Sequence, residues 1–419
     1  MTQPASWLDI ASDSDFSLRN LPFGIFSTAT KSPGVGVAIG EWVIDLSEAA
    51  RLGILGLGDK EVSIFQKPTL NDLMARGQTV ARQIRGALQA QLTTTNSVLH
   101  RLADQVLVRQ SDAWMHLPVD IGDYTDFYSS LEHATNVGQL FRPDNPLMPN
   151  WKHLPVAYHG RASSIVVSGT PIRRPSGQAL PSGATEPVLG PSQALDYELE
   201  LGFIIGKSSA LGVPVSTDEA EDYVFGCVLF NDWSARDIQR WEYQPLGPFL
   251  GKNFASSISP WVVTLDALDA FRVAGPEQNP TPLPYLKTLG ALNFDLNLEV
   301  AIKPNASTET TVCRTNARHL YWNIRQQIAH HTVSGCNLRV GDLLATGTIS
   351  GPNSHGCLLE LTEGGTKPVR LSDDSERTYL QDGDEVVMRG YAEGDGGRVG
   401  FGEVRGIIQN QEIKDQNSP

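Results

Sequence analysis

The chain has 419 residues, of which 40% are apolar, and 33 Lys and Arg against 47 Asp and Glu leave a net charge of −14. That length suits two or three domains at roughly 150 residues each, and the composition is that of a chain with a sizeable core. The acidic balance argues against nucleic acid as a partner, because phosphate-backbone affinity rests on Lys and Arg. The four cysteines, Cys227, Cys313, Cys336 and Cys357, show no C-x-x-C spacing, which fits a reducing cytoplasmic setting. MTQPASWLDI lacks a basic or apolar leader pattern, and no run approaches about 18 consecutive apolar residues, so neither a targeting signal nor a membrane partner is expected.

In chain order, segment 21–46 (LPFGIFSTATKSPGVGVAIGEWVIDL) predicts short strands of a small barrel or roll, its apolar residues alternating between glycine and proline turns. Segment 69–92 predicts a helix from Leu73, Val80, Ile84, Leu88 and Leu92, with Gly77 and Gly86 each weakening it by about 1 kcal/mol. The character changes near Leu117 and Pro118, which sets expected domains of 1–118 and 119–419. Beyond that point SSIVVSG, YELELGFIIG, YVFGCVLFN, SPWVVTL, FDLNLEVAI, CLLEL and EVVMRGYAE all read as strands, so the larger domain is expected to be mainly β. Segments 177–193 and 275–284 read as surface loops, and the polar tail QNQEIKDQNSP is expected to fray.

The sharpest chemical signal is Glu198-Leu199-Glu200, whose carboxylates share one face of a strand about 7 Å apart. Their apolar neighbours Phe203, Ile204 and Ile205 suggest a strand entering the core, where a cation between the acids would relieve their repulsion; an edge strand with its acids in water is the alternative. Asp232 ends an apolar strand and Asp126 lies in the loop DYTDFYSSLEHATN. Four oxygen ligands of this kind suit a hard ion such as Mg²⁺ or Ca²⁺, although spacing alone does not make them converge. His133 follows Asp126 by seven positions, in a helix expected to open at Ser129 with Glu132 completing a capping box, and is a candidate general base. Arg236 and Gln239 share a helix face, and with Lys252 they could stabilise an oxyanion. His330 and His331 are adjacent on a helix and point apart, which disfavours joint metal ligation. Segment 247–252 departs from a phosphate loop in spacing, so no nucleotide site is expected. DGDE around Gly383 reads as a turn, and Thr348 sits in a glycine-flanked turn that could meet a ligand.

The runs DYTDFYSS, HATNVG, NWKHLPVAYHGRASSIVVSGTPIRRP, YELE, NDWSARDIQRWEYQPLGPFLGK and HHTVSGCNLRVGDLLATGTISG together resemble the fumarylacetoacetase family over nearly the whole chain. The resemblance implies a mostly β (α+β) homodimer with an amino-terminal SH3-like barrel and a large carboxy-terminal mixed β-roll. It implies Asp126, Glu198, Glu200 and Asp232 as ligands of Mg²⁺ or Ca²⁺, and a secondary cation site at Lys252 and Ser256, where many family members carry threonine. His133 matches the general base and Glu360 the acid that orients it; Arg236, Gln239 and Lys252 match oxyanion donors. Tyr128, Arg142, Tyr158, Gln239, Tyr243 and Thr348 match substrate contacts. The implied reaction is hydrolysis of the C–C bond of fumarylacetoacetate to fumarate and acetoacetate, the final step of tyrosine catabolism. The alternatives are a sibling chemistry on the same carboxylates, such as acylpyruvate hydrolysis, decarboxylation or isomerisation, and a catalytically silent metal-binding scaffold.

Overall fold

Short apolar strands punctuated by glycine dominate the chain in a computed structural model that describes residues 5–305, 307–394 and 397–410. Strands Gly34–Ile39 and Trp42–Asp45 form a hairpin, for which Gly40 adopts a φ of +53° that L side chains rarely take. With Phe23–Ser27, Leu107–Arg109 and Trp114–His116 they make an antiparallel set. Phe23 and Gly24 pair in turn with Val262 and Trp261, so these strands continue into a sheet of 13 strands.

The later chain supplies the elements that position the site: β1 (Tyr124–Phe127), α1 (Leu131–Phe141), β2 (Leu199–Ile205), β3 (Val224–Asp232), α2 (Arg236–Glu242), β4 (Ser256–Ile258), β5 (Leu343–Ala345) and α3 (Leu358–Leu361). Strands β3, β2, β5 and β1 lie side by side in that order, antiparallel except for the parallel pair β5–β1. Strand β4 pairs with the end of β3, with Ser256 opposite Asp232. Both β2 and β3 are buried along their whole length, which is why their sequences are nearly unbroken apolar runs. Period-two alternation sends Phe203, Cys227 and Leu229 into a core shared with the five-stranded sheet of Leu298, Met388 and Phe401. It sends Ile204, Val228 and Phe230 to the opposite core, which includes Phe23, Ile84 and Leu88.

The helix expected over 69–92 is interrupted: Gly77, at φ +84°, separates Asn71–Met74 from Gln78–Thr93, whereas Gly86 stays helical. CLLEL is not a strand. Residues Leu358–Leu361 form a helical turn, because the Asp196 carboxylate accepts the backbone N–H groups of Leu358 and Leu359. The helix α1 opens at Ser130 instead of Ser129: the Ser130 hydroxyl accepts the His133 N–H at 3.2 Å, while Ser129 accepts from Gln327 at 2.9 Å. Within 177–193, Ser176–Ala179 and Val188–Pro191 pair as a small hairpin instead of a plain loop. Of the tail expected to fray, Gln409 pairs with Arg173, and residues 411–419 lie outside the described residues. Among the described residues, no helix is long and apolar enough to cross a membrane.

Candidate metal and catalytic centre

Glu200 lies on the central strand β2 and Glu198 immediately precedes it, bridged to Cys357; both acids are buried, so the edge-strand alternative does not hold. Asp126 on β1 and Asp232 at the end of β3 join them, each acid offering an oxygen within 4.8 Å of the others'. Lys252 Nζ donates to Glu198 Oε2 at 2.5 Å and Asp232 Oδ2 at 2.7 Å. Ser256 Oγ donates to Asp232 Oδ1 at 2.9 Å, and Tyr158 OH to Asp232 Oδ2 at 3.0 Å. At Lys252 and Ser256 the side chains thus meet the main carboxylate group. Arg236 Nη2 lies 2.7 Å from Glu198 Oε1 and 2.8 Å from Asp196 Oδ2, in ion-pair contact without hydrogen-bond alignment.

These partners divide the acids. Burial would raise the Glu198 pKa, but Lys252, Arg236 and His133 outweigh it and hold the carboxylate low, at about 2. Burial and the neighbouring carboxylates push Asp126 and Glu200 well above the ordinary carboxylate range. Their Asp126 Oδ1 and Glu200 Oε1 atoms are buried without a hydrogen-bond partner, an arrangement that costs several kcal/mol unless a proton or a cation meets them. An all-oxygen set with two orphaned buried atoms fits a hard divalent ion.

Beside this cluster, His133 Nδ1 lies 2.6 Å from Glu360 Oε2, both side chains being buried. Glu360 also accepts from Asn136 Nδ2 at 2.9 Å and Ser350 Oγ at 2.8 Å. Burial works against its charge, yet His133, His355 and Asn136 hold it well below the usual range, so it remains a carboxylate. A carboxylate at Nδ1 fixes the tautomer with Nε2 free to accept a proton. Cys357 lies within reach of this pair too, but its Sγ–H donates to Glu360 and burial pushes the thiol far up, so it behaves as an inert packed thiol.

Both groups open onto one cavity of about 490 Å³, whose lining includes Asp126, His133, Glu198, Arg236 and Lys252. All the substrate positions implied by the resemblance line it as well: Tyr128, Arg142, Tyr158, Gln239, Tyr243 and Thr348. Tyr128 stacks edge-on against His133 at 5.1 Å, and burial raises both the Tyr128 and Tyr158 phenols, keeping them neutral donors. Arg236 Nη1 donates to Gln239 Oε1 at 3.2 Å, as expected of positions three apart on a helix. Arg142 and Tyr243 are exposed at the rim. Gly347 carries φ +76° and its N–H donates to Glu200 Oε2 at 2.9 Å; beside it, Thr348 Oγ1 is buried and unpartnered. His330 and His331 point apart, toward Tyr285 and Thr125 respectively.

Sequence reasoning passed over Asp196 and Glu242. The first had a signal, since Asp196, Glu198 and Glu200 extend one period-two acidic series. Glu242 had none: its carboxylate accepts the N–H groups of Phe249, Leu250 and Gly251 and so fixes the loop that delivers Lys252.

Two family descriptions match the chain, "Fumarylacetoacetase N-terminal" over residues 19–118 and "Fumarylacetoacetate (FAA) hydrolase C-terminal" over 124–409. The fumarylacetoacetase of Rattus norvegicus is 52% identical over 411 residues, covering 96% of this chain and 98% of its own. That of Homo sapiens is 51% identical with the same coverage. Among solved structures, the fumarylacetoacetate hydrolase of psychrophilic Exiguobacterium antarcticum shares the fold, with a TM-score of 0.53 at 18% identity over 93% of this chain and 99% of that one.

Proposed function

Because the chain belongs to the fumarylacetoacetate hydrolase family, we propose that it hydrolyses the C–C bond of fumarylacetoacetate, releasing fumarate and acetoacetate at the end of tyrosine breakdown. The observation that carries this reading is the His133–Glu360 pair, which faces the same cavity as the buried carboxylate cluster. Asp126, Glu198, Glu200 and Asp232 would hold Mg²⁺ or Ca²⁺, and what such an ion supplies when bound is Lewis acidity toward the keto oxygens of a 1,3-diketone.

His133, with Nδ1–H on Glu360, takes a proton from water at Nε2, and the hydroxide attacks the carbonyl next to the fumaryl half. Arg236, Gln239 and Lys252 donate to the oxyanion that forms; one such donor is worth about 2.7–4 kcal/mol in known cases. Collapse breaks the C–C bond, its electron pair leaving with the acetoacetate carbon as an enolate, which the His133 proton then quenches. Arg142, Tyr128 and Tyr158 hold the substrate carboxylate, and Tyr243 and Thr348 complete the pocket. The active species is a homodimer in the cytoplasm; the four cysteines are free, which suits a reducing compartment.

Protein stripped with a chelator should lose activity, and Mg²⁺ or Ca²⁺ should restore fumarate formation in step with fumarylacetoacetate loss. A folded, cation-loaded protein that leaves the substrate intact refutes the reaction and turns attention to acylpyruvates and oxaloacetate. Sedimentation at twice the 45.6 kDa chain mass tests the dimer.

A further inference from the structure

Asp196 is wholly buried, and its carboxylate is surrounded by donors. Oδ1 accepts the N–H groups of Tyr197 at 2.8 Å and Leu358 at 2.7 Å. Oδ2 accepts the Leu359 N–H at 2.9 Å and Arg236 Nε–H at 2.9 Å, with Arg236 Nη2 at 2.8 Å. Leu358 and Leu359 open the helical turn α3, whose next residue, Glu360, holds His133. Arg236 opens α2 and reaches the cavity. One carboxylate therefore joins two arms of the site that come from distant parts of the chain.

The guanidinium also has somewhere else to go. Its Nη2 sits between Asp196 and Glu198, and Glu198 is already paired with Lys252. An Arg236 released from Asp196 would move toward Glu198 and away from its present place beside Gln239.

We propose that Asp196 is a positioning residue, which fixes Arg236 at the cavity and sets its distance from the Glu360–His133 pair. The proposal rests on the hydrolytic reading above and extends it. Among the described residues, the side-chain hydrogen bonds of Asp196 reach the cavity lining only at Arg236 and Leu359, so its effect on turnover is indirect.

Asp196→Asn keeps the side-chain volume and an acceptor for the Leu358 N–H, but presents an NH2 to Arg236 and the Leu359 N–H. Displacing a catalytic donor by about 1 Å can cost about 10²-fold, so kcat should fall by about that factor while KM stays within about threefold. In an Arg236→Met background the same change should cost less than about threefold, since the group it positions is gone. Equal losses in both backgrounds would overturn the proposal, because they are what a purely structural cap gives. Should Asp196→Asn not fold, solvent exchange of the Arg236 Nε–H in the wild-type protein, followed by NMR with ¹⁵N-labelled arginine, still decides. Slow exchange supports the grip, and exchange as fast as that of the exposed Arg51 refutes it. Absence of fumarylacetoacetate turnover in the wild type would sink the assigned reaction alone, because the exchange measurement does not depend on substrate.

Discussion

Removing or adding the cation should move protons. In the metal-free protein, Asp126 and Glu200 have raised pKa values because burial and neighbouring carboxylates oppose their charge. A bound cation needs both as carboxylates, so binding expels whatever protons they hold. These two, raised furthest, account for up to two protons per ion, and Asp232, which burial also raises, can add a third. Each proton displaced makes affinity change about tenfold per pH unit, or about 1.36 kcal/mol, so affinity should fall by about 10- to 100-fold for each unit of acidification in the range where both groups titrate. The sign for the stripped protein follows from the same shifts. A raised folded pKa gives stability that is present below the ordinary value of 3.8 or 4.5 and is lost as pH rises through the folded one, so the stripped protein weakens toward alkaline pH and cation addition restores it there. Calorimetric titration of the stripped protein with Mg²⁺ or Ca²⁺, in buffers of unlike ionisation enthalpy, counts the protons. Glu200→Gln should remove its share of the release and weaken binding by at least about tenfold, since loss of even an outer-shell partner costs that much. Buffer-independent heats together with affinity flat from about pH 5.5 to 8 would show that both carboxylates are already ionised, and would refute the reasoning from burial and like charge.

His133→Ala and Glu360→Gln should each lower kcat/KM by about 10²–10⁴ while cation affinity in the same calorimeter stays unchanged; substantial remaining turnover would remove the pair as the general base. Gly347→Ala introduces a Cβ about 2.1 Å from the Phe127 carbonyl oxygen at a φ of +76°. It should cost about 1–3 kcal/mol in chemical unfolding and lower activity, because the Gly347 N–H on Glu200 and the Thr348 hydroxyl shift with it. Burial raises Glu221, but hydrogen bonds from Arg325 and Arg272 outweigh that and leave its pKa below the ordinary 4.5. Its stabilising contribution is therefore present above that value and lost as pH falls, so Glu221→Gln should unfold at lower urea than wild type at neutral pH, with the two converging in acid. A gap that persists unchanged at low pH would exclude the ion pairs as its source.

Much of the fold is legible in the sequence because apolar patterning is a local property: YELELGFIIG and YVFGCVLFN read as strands from their apolar runs, and a period of two puts Glu198 and Glu200 on one face. Asp126 and Asp232 are visible only as candidates, since their meeting depends on the order β3, β2, β5, β1 in the sheet and not on any spacing along the chain. CLLEL misleads for a definite reason. A short apolar run does not distinguish strand from helix, and what decides it is a pair of backbone hydrogen bonds to Asp196, a residue 162 positions from Leu358. The N-terminus of α1 shifts from Ser129 to Ser130 because the Ser129 hydroxyl is occupied by Gln327, a partner from far along the chain.

The distribution of charge explains why the site can serve both a cation and an oxyanion. Lys252 and Arg236 engage Glu198 and Asp232, and neither makes a hydrogen bond or ion pair at 4.0 Å or less with Asp126 or Glu200. The chain's own cations thus neutralise one half of the carboxylate group, and the negative potential that attracts a divalent ion is concentrated on the other. Burial by itself lowers the pKa of Lys252 and Arg236, but Asp232 and Glu198 around Lys252, and Glu198 and Asp196 around Arg236, outweigh it, raise both values and keep both groups charged. The same ion pairs fix the donors before substrate arrives, so little reorganisation is needed when negative charge develops on the reacting oxygen. Truncating Lys252 would therefore remove an oxyanion donor and at the same moment leave Glu198 and Asp232 without their ammonium. Gln239, which is neutral and bonded to Arg236, offers a cleaner measure of oxyanion stabilisation, because its loss leaves the carboxylate pairing intact.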